Sequence, residues 1–244
     1  MPLGPGSFLD EPTLITELVK RHLGHTPRAT AVECGEHRLT WRELDARIRH
    51  VACGLRASMV RPGERFAVLS HNHPACLEAL FAAALTGTTA VILNWRLADD
   101  VIIGILRREQ VKLLFVGSDF ADLLERIRPE LDELDTVVMV GPPSDNPHGT
   151  DDYELWLELH ETGEGMYEAA KHRPHVDDPV LQVHSGDDQE HVAFTHRALQ
   201  LGVAEVTPEP GETKVVADPL FQVRGMLHAL HGIRHGARTV LVRT

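Results

Sequence analysis

The chain has 244 residues, 43% of them apolar and 25% charged, which is enough for one large or two small globular domains with a proper core. Its formal charge of −12 argues against nucleic acid or an anionic membrane surface as the main partner. Three cysteines, Cys34, Cys53 and Cys76, show no C-x-x-C spacing, which fits reduced thiols in a cytoplasmic protein.

The opening MPLGPGSFLDEP lacks the basic-then-apolar order of a signal peptide, and no apolar run reaches the ~18 residues needed to cross a bilayer. Pro12 to Leu23 has the spacing of an amphipathic helix, with Leu14, Ile15, Leu18 and Val19 on one face. Thr30–Cys34 and His37–Thr40 flank Gly35-Glu36 and predict a hairpin. Thr40-Trp41-Arg42-Glu43 is a capping box that opens a helix running to about Leu55. Strands follow at Arg65–Ser70, Thr89–Leu93, Leu113–Gly117 and Thr136–Val140. Helices alternate with them at Asn72–Leu85, Asp99–Glu109 and Phe120–Ile127. This alternation predicts an α/β fold with a largely parallel sheet. His71 and His73 fall at a helix start, where capping accounts for them.

Residues 141–179 break the rhythm with five prolines and many charges, leaving one short helix at Tyr153–His160. Beyond them come a loop at 184–191, a helix from Thr195, a strand at Lys214–Ala217, a helix Gly225–His235 and a strand Thr239–Val242. The expected division is a first α/β subdomain over 1–178, with 141–178 as connector, and a partial second subdomain over 179–244.

Five phrases in order carry a family likeness. They are HTPRATAVECGEHRLTWRELDARIRHVACGL, VRPGERFAVLSHNHPACLEALFAAALTGTTAVILNWRL, VHSG, THRAL and VVADPLFQVRGMLHAL. Together they resemble the N-terminal part of the acyl-CoA synthetase and adenylation-domain superfamily. Asn72, Gly87, Asn94, Arg96 and Leu97 stand where that pattern wants them, and Trp95 replaces its usual proline. The resemblance implies a truncated acyl-CoA synthetase-like N-terminal domain, with sheets flanked by helices. It also implies that the nucleotide-ribose aspartate, the adenine segment and the mobile domain with the catalytic lysine lie past residue 244. About ten to thirty residues of the pattern are also missing between Leu199 and Thr213, judged from usual loop lengths.

The stretch Val183–Leu199 departs most from the family. Its phosphate loop reads roughly YTSGTTG-x-PKGV-x-x-THR-x-L. Here Ser185 and Gly186 remain, while Asp187-Asp188-Gln189-Glu190-His191 replace the small residues, the proline and the lysine. A phosphate cradle needs free N–H groups and positive charge, so three carboxylates argue against ATP and Mg²⁺.

Candidate chemistry shifts to other groups. His184, Asp187, Asp188, Glu190 and His191 form an acid–base cluster on the loop. Gln222 replaces the family's usual ring at the acyl pocket, and Gly225, His228 and His231 follow on the next helix. His231 and His235 have the i, i+4 spacing that can chelate zinc or another divalent metal. The expectation is one cavity gathering His184, His191, Gln222, His228 and His231. Three functions remain open. The first is a non-catalytic pseudoenzyme acting as a binding or assembly partner in acyl or natural-product biosynthesis. It would work as a homodimer or in complex with a synthetase or carrier protein. The second is an ATP-independent enzyme that keeps the pocket for an acyl or aryl small molecule. The third is a fragment of an acyl-CoA ligase.

Overall fold

The computed structural model describes residues 13–141, 151–161, 174–185, 190–204 and 213–244. Two sheets organise them. The larger is built from β3 (Arg65–Leu69), β4 (Thr89–Ile92), β5 (Leu113–Gly117), β6 (Thr136–Val140), β7 (Asp151–Asp152), β8 (Pro179–Ser185) and β9 (Glu190–Thr195), in the order β7-β6-β5-β3-β4-β8-β9. All its pairs are parallel except the last, the β8–β9 hairpin. The smaller sheet holds β1 (Thr30–Cys34), β2 (His37–Thr40), β10 (Thr213–Val216) and β11 (Arg238–Leu241), in the order β10-β11-β1-β2. Both sheets draw strands from either side of residue 179, so that point is a boundary in chain order and not one between sheets.

The central strands β3, β4 and β5 are buried on both faces, which is why they read as apolar runs. One face (Ala67, Leu69, Val91, Leu93, Leu114, Val116) packs on α4 (Asp99–Arg108) and α5 (Ala121–Ile127). The other (Phe66, Val68, Ala90, Ile92, Phe115, Val138) packs on α2 (Trp41–Ala57), α3 (Pro74–Thr86) and α6 (Tyr153–Leu159). Helix α3 is buried almost all round and touches β1, β4 and β8, so it lies between the two sheets. The remaining helices are α1 (Glu17–Leu23), α7 (His196–Val203) and α8 (Val223–His235).

Local signals set most boundaries. The capping box at Thr40 and Glu43 is formed in both directions. Thr195 caps α7 by accepting the Ala198 N–H at 3.1 Å. Three expectations change. Helix α1 starts at Glu17 rather than Pro12, because Leu14 and Ile15 carbonyls accept from Glu17 and Leu18 in tighter turns. Helix α3 starts two residues later, at Pro74, with His73 as its cap, which releases Asn72 for other work. Of the expected loop at 184–191, His184 and Ser185 end β8 and Glu190 and His191 begin β9, paired across the ladder, while 186–189 lie outside the described residues.

Candidate functional site at the carboxyl ends of the strands

In a doubly wound sheet the crevice opens where successive connections leave in opposite directions. From β3 the chain passes to β4 on one side, and β5 lies on the other, so that point falls between β3 and β5. Two glycines let the strand ends approach there. A Cβ on Gly117 would lie 2.9 Å from Ser70 Oγ, and one on Gly141 would lie 2.8 Å from Ser118 Oγ.

Asn72 joins this edge to the smaller sheet. Its Nδ2 donates to the Asp218 and Val242 carbonyls at 3.0 and 2.9 Å, and its Oδ1 accepts the Leu220 N–H at 2.8 Å. Buried at 3% exposure, it satisfies three backbone groups that follow β10 and β11.

Four rings gather beside it, each from a different connection. Trp95 lies 4.6 Å from His71, 6.0 Å from Phe120 and 6.0 Å from Phe221, mostly edge to face or tilted. The Arg96 guanidinium stands 4.7 Å over Trp95 and 5.8 Å over Phe221. Asp119 sits between Arg243, which it pairs, and His71 Nε2 at 4.0 Å. Trp95 Nε1 and His71 Nδ1 are buried without a hydrogen-bond partner among the described residues. Such a wall offers a flat apolar surface, two polar ring atoms and a nearby cation. Sequence reading marked Asn72, Trp95 and Arg96 as pattern positions. It missed the cluster, because Phe120 and Phe221 lie far away in the chain.

The residues expected to form one histidine cavity fall into two groups. His184 is buried at 3% exposure in β8, with Arg108 Nη2 donating to its Nδ1 at 3.4 Å and Gln182 Nε2 3.2 Å from its Nε2. Burial, then the Arg108 charge, pushes its pKa down to about 4. His191 pairs with it across the hairpin, rings 5.8 Å apart, and is exposed. Ser185 and Glu190 face each other in the ladder, while Gly186, Asp187 and Asp188 lie outside the described residues.

The second group is on α8. His228 and His231 line a groove of ≈ 480 Å³ with residues of α7 and β10. His228 lies 3.4 Å from Asp218, and burial, then Lys214, lowers its pKa. The rings of His231 and His235 lie 4.7 Å apart and tilted by 53°, neighbours as the i, i+4 spacing predicts. Among the described residues, however, no three His, Cys, Asp or Glu side chains gather to hold a metal ion. Gln222 is exposed at the start of α8, with no side-chain cap bond. Gly225 is a packing glycine: a Cβ there would meet the Pro219 carbonyl oxygen at 2.3 Å. The groove that holds His228 and His231 is not lined by His184, His191 or Gln222. Helical spacing put the α8 histidines on one face, but α8 packs on β10 and β11, whereas His184 and His191 belong to the larger sheet.

The fold is an α/β scaffold with a crevice at the carboxyl edge of its larger sheet, and the comparisons place it in a family. Residues 19–244 match the AMP-binding enzyme family model, and the chain belongs to that family. It is 39% identical over 141 residues to feruloyl-CoA synthase of an Amycolatopsis species, covering 54% of this chain and 28% of that protein. It is 25% identical over 236 residues to the fatty acid–[acyl-carrier-protein] ligase ScoC of Streptomyces coeruleorubidus, covering 91% of this chain and 42% of that protein. Among solved structures, the anthranilate CoA ligase AuaEII in complex with anthranoyl-AMP superposes with a TM-score of 0.83 at 22% identity, over 99% of this chain and 47% of that one. A Mycobacterium tuberculosis fatty acyl CoA synthetase gives 0.78 at 19% identity, over 95% and 45%. The chain therefore spans less than half the length of these relatives, as an acyl-CoA-ligase-like N-terminal portion. No described helix is long and apolar enough to cross a membrane.

Proposed function

We propose that this chain is an acyl-CoA-ligase-like scaffold that does not activate carboxylates with ATP at the β8–β9 connection. It serves instead as a binding or assembly partner in acyl metabolism. The observation that carries this reading is the chemistry of that connection. Pairing continues to Ser185 and Glu190, so only residues 186–189 join the strands. No lysine or arginine occurs from residue 174 to 196, whereas Asp187, Asp188 and Glu190 do. Each carboxylate–phosphate charge pair at about 6 Å costs roughly 0.7 kcal/mol even in water, and more where water is excluded. A transferring phosphoryl group needs fixed positive charge at this place, so these residues do not fit a triphosphate. Carboxylate-dependent pyrophosphate exchange tests the reading. No exchange above background is expected with aryl or fatty acids, and turnover with any of them would overturn it.

The ring cluster supports a more specific ligand. Trp95, Phe120 and Phe221 present flat surfaces and Arg96 a cation, which suit a planar aryl carboxylate. Two of the relatives named above carry feruloyl and anthranilate in their names. Trp41 and Trp156 are buried at 0% and 3% exposure, so Trp95 is the half-buried reporter. Ferulate or anthranilate should quench its emission saturably, and Trp95→Phe should abolish the change. The separation of the histidines lends no support to ATP-independent chemistry in a shared His/Asp pocket.

A further inference from the structure

Two surfaces of this chain are complementary to each other and cannot meet within one molecule. The first is the outer side of α6. Tyr153, Trp156 and Leu157 turn inward, and the Trp156 ring lies so close on Gly54 of α2 that a Cβ there would collide with it. That leaves Leu155 and Leu159, 54% and 71% exposed, on an outward stripe four residues apart. Glu158 and Glu161 are exposed beside them and form no salt bridge with a lysine or arginine among the described residues. Glu154, by contrast, is held by Arg47 at 2.6 Å. The stripe is therefore apolar and acidic, and the packing of Trp156 fixes it in place.

The second surface is the groove between α7, β10 and the first half of α8. Val203, Val223 and Leu227 supply its apolar lining, and Lys214, Arg224 and His228 its polar lining. Lys214 pairs with no carboxylate among the described residues, and Arg224 is 75% exposed with Asp218 at 3.3 Å. Apolar lining with cationic side chains is the complement of an apolar stripe with an acidic border. Helix α6 packs on α2, β6 and β7, whereas the groove belongs to α7, α8 and β10. A chain cannot place its own α6 in its own groove.

We propose that α6 of one copy docks in the α7–β10–α8 groove of a second copy, giving reversible head-to-tail self-association. The contact joins two different patches, so it is heterologous and leaves one α6 and one groove open at the ends of every assembly. It names a surface for the assembly role proposed above. Its failure would leave the nucleotide reading untouched, since no nucleotide enters the test.

Sedimentation velocity of the full chain between about 5 and 300 µM is the experiment. The weight-average mass should rise above the 27.1 kDa of one chain and fall back in high salt as the charges are screened. Leu155→Glu with Leu159→Glu removes the stripe, and Lys214→Glu with Arg224→Glu inverts the groove rim. Leu155, Leu159 and Arg224 are exposed and Lys214 is half-buried, and circular dichroism checks that each double variant keeps its fold. Each double variant alone should stay at the mass of one chain. Mixed in equal amounts, they should recover association to twice that mass and no further, because one intact α6 and one intact groove remain between them. A wild-type chain that stays at single-chain mass at 300 µM overturns the proposal. So does a double variant that still associates alone, or a mixture that fails to pair.

Discussion

Replacing Asn72 with alanine should loosen the junction between the two sheets more than any other single polar truncation at the carboxyl edge. The side chain is buried and makes three hydrogen bonds to backbone groups, at 2.8, 2.9 and 3.0 Å. Alanine leaves the Leu220 N–H and the Asp218 and Val242 carbonyls without that partner, and orphaned buried polar groups cost about 1–3 kcal/mol each. Water reaching one of them would relieve part of this, so a loss of about 3–5 kcal/mol is expected. That is a large fraction of the roughly 5–15 kcal/mol that holds an ordinary domain. Urea unfolding followed by circular dichroism gives the number. With a slope of about 2–3 kcal/mol per molar, the midpoint should fall by roughly 1.5 M. Asn72→Asp should be no better, because a carboxylate would face two carbonyl oxygens that now accept hydrogen bonds. A midpoint shift under about 0.3 M for Asn72→Ala would refute the reasoning, and Asn72 would then be a filler rather than a joint.

Other perturbations have equally definite outcomes. Burial is the main cause holding His73, His184 and His196 at about 4, below the ordinary histidine value of 6.5. The unfolded chain takes up these protons first as pH falls, so stability should decline between pH 6.5 and about 4, by up to about 1.4 kcal/mol per pH unit for each histidine. Urea midpoints at pH 7, 6 and 5 measure it, and a flat profile would be contrary. Gly225→Ala places a Cβ 2.3 Å from a backbone oxygen, and should lower the thermal midpoint by several degrees or prevent folding. Gly104→Ala, on exposed α4 with nothing within 4 Å of the new Cβ, should raise stability by about 0.5–1 kcal/mol. Glu78, at 0% exposure, takes a hydrogen bond from Tyr153 and pairs with Arg47 at 2.6 Å. Glu78→Ala should therefore cost about 1–3 kcal/mol in chemical denaturation, because it leaves the buried Tyr153 hydroxyl without its acceptor, while Arg47 keeps Glu154.

What could be read from the chain was mostly local. Parallel strands such as Leu113–Gly117 and Thr136–Val140 announced themselves as short apolar runs, and Thr40 marked a helix start through its capping box. The β8–β9 hairpin was not read that way. Gln182 and His184 interrupt an apolar strand with buried polar groups, and Arg65 and Arg108, whose side chains meet them, stand 117 and 76 residues away. A window of neighbours holds no trace of partners that distant. The same limit hid the ring cluster, whose members come from four connections that only the sheet order brings to one edge. For the α8 histidines, spacing gave their common face, while the groove that His228 and His231 line depends on α7 and β10, which spacing alone does not reveal.

The charge of the connection between β8 and β9 decides whether this chain can hold a nucleotide. Isothermal titration of the chain with Mg·ATP tests it most directly, at protein concentrations near 100 µM and ordinary ionic strength. No saturable heat is expected up to millimolar nucleotide, because Asp187, Asp188 and Glu190 stand where positive charge would be needed and no lysine or arginine lies between residues 174 and 196. A saturable isotherm with micromolar affinity would contradict the account and return the chain to the ATP-binding members of its family.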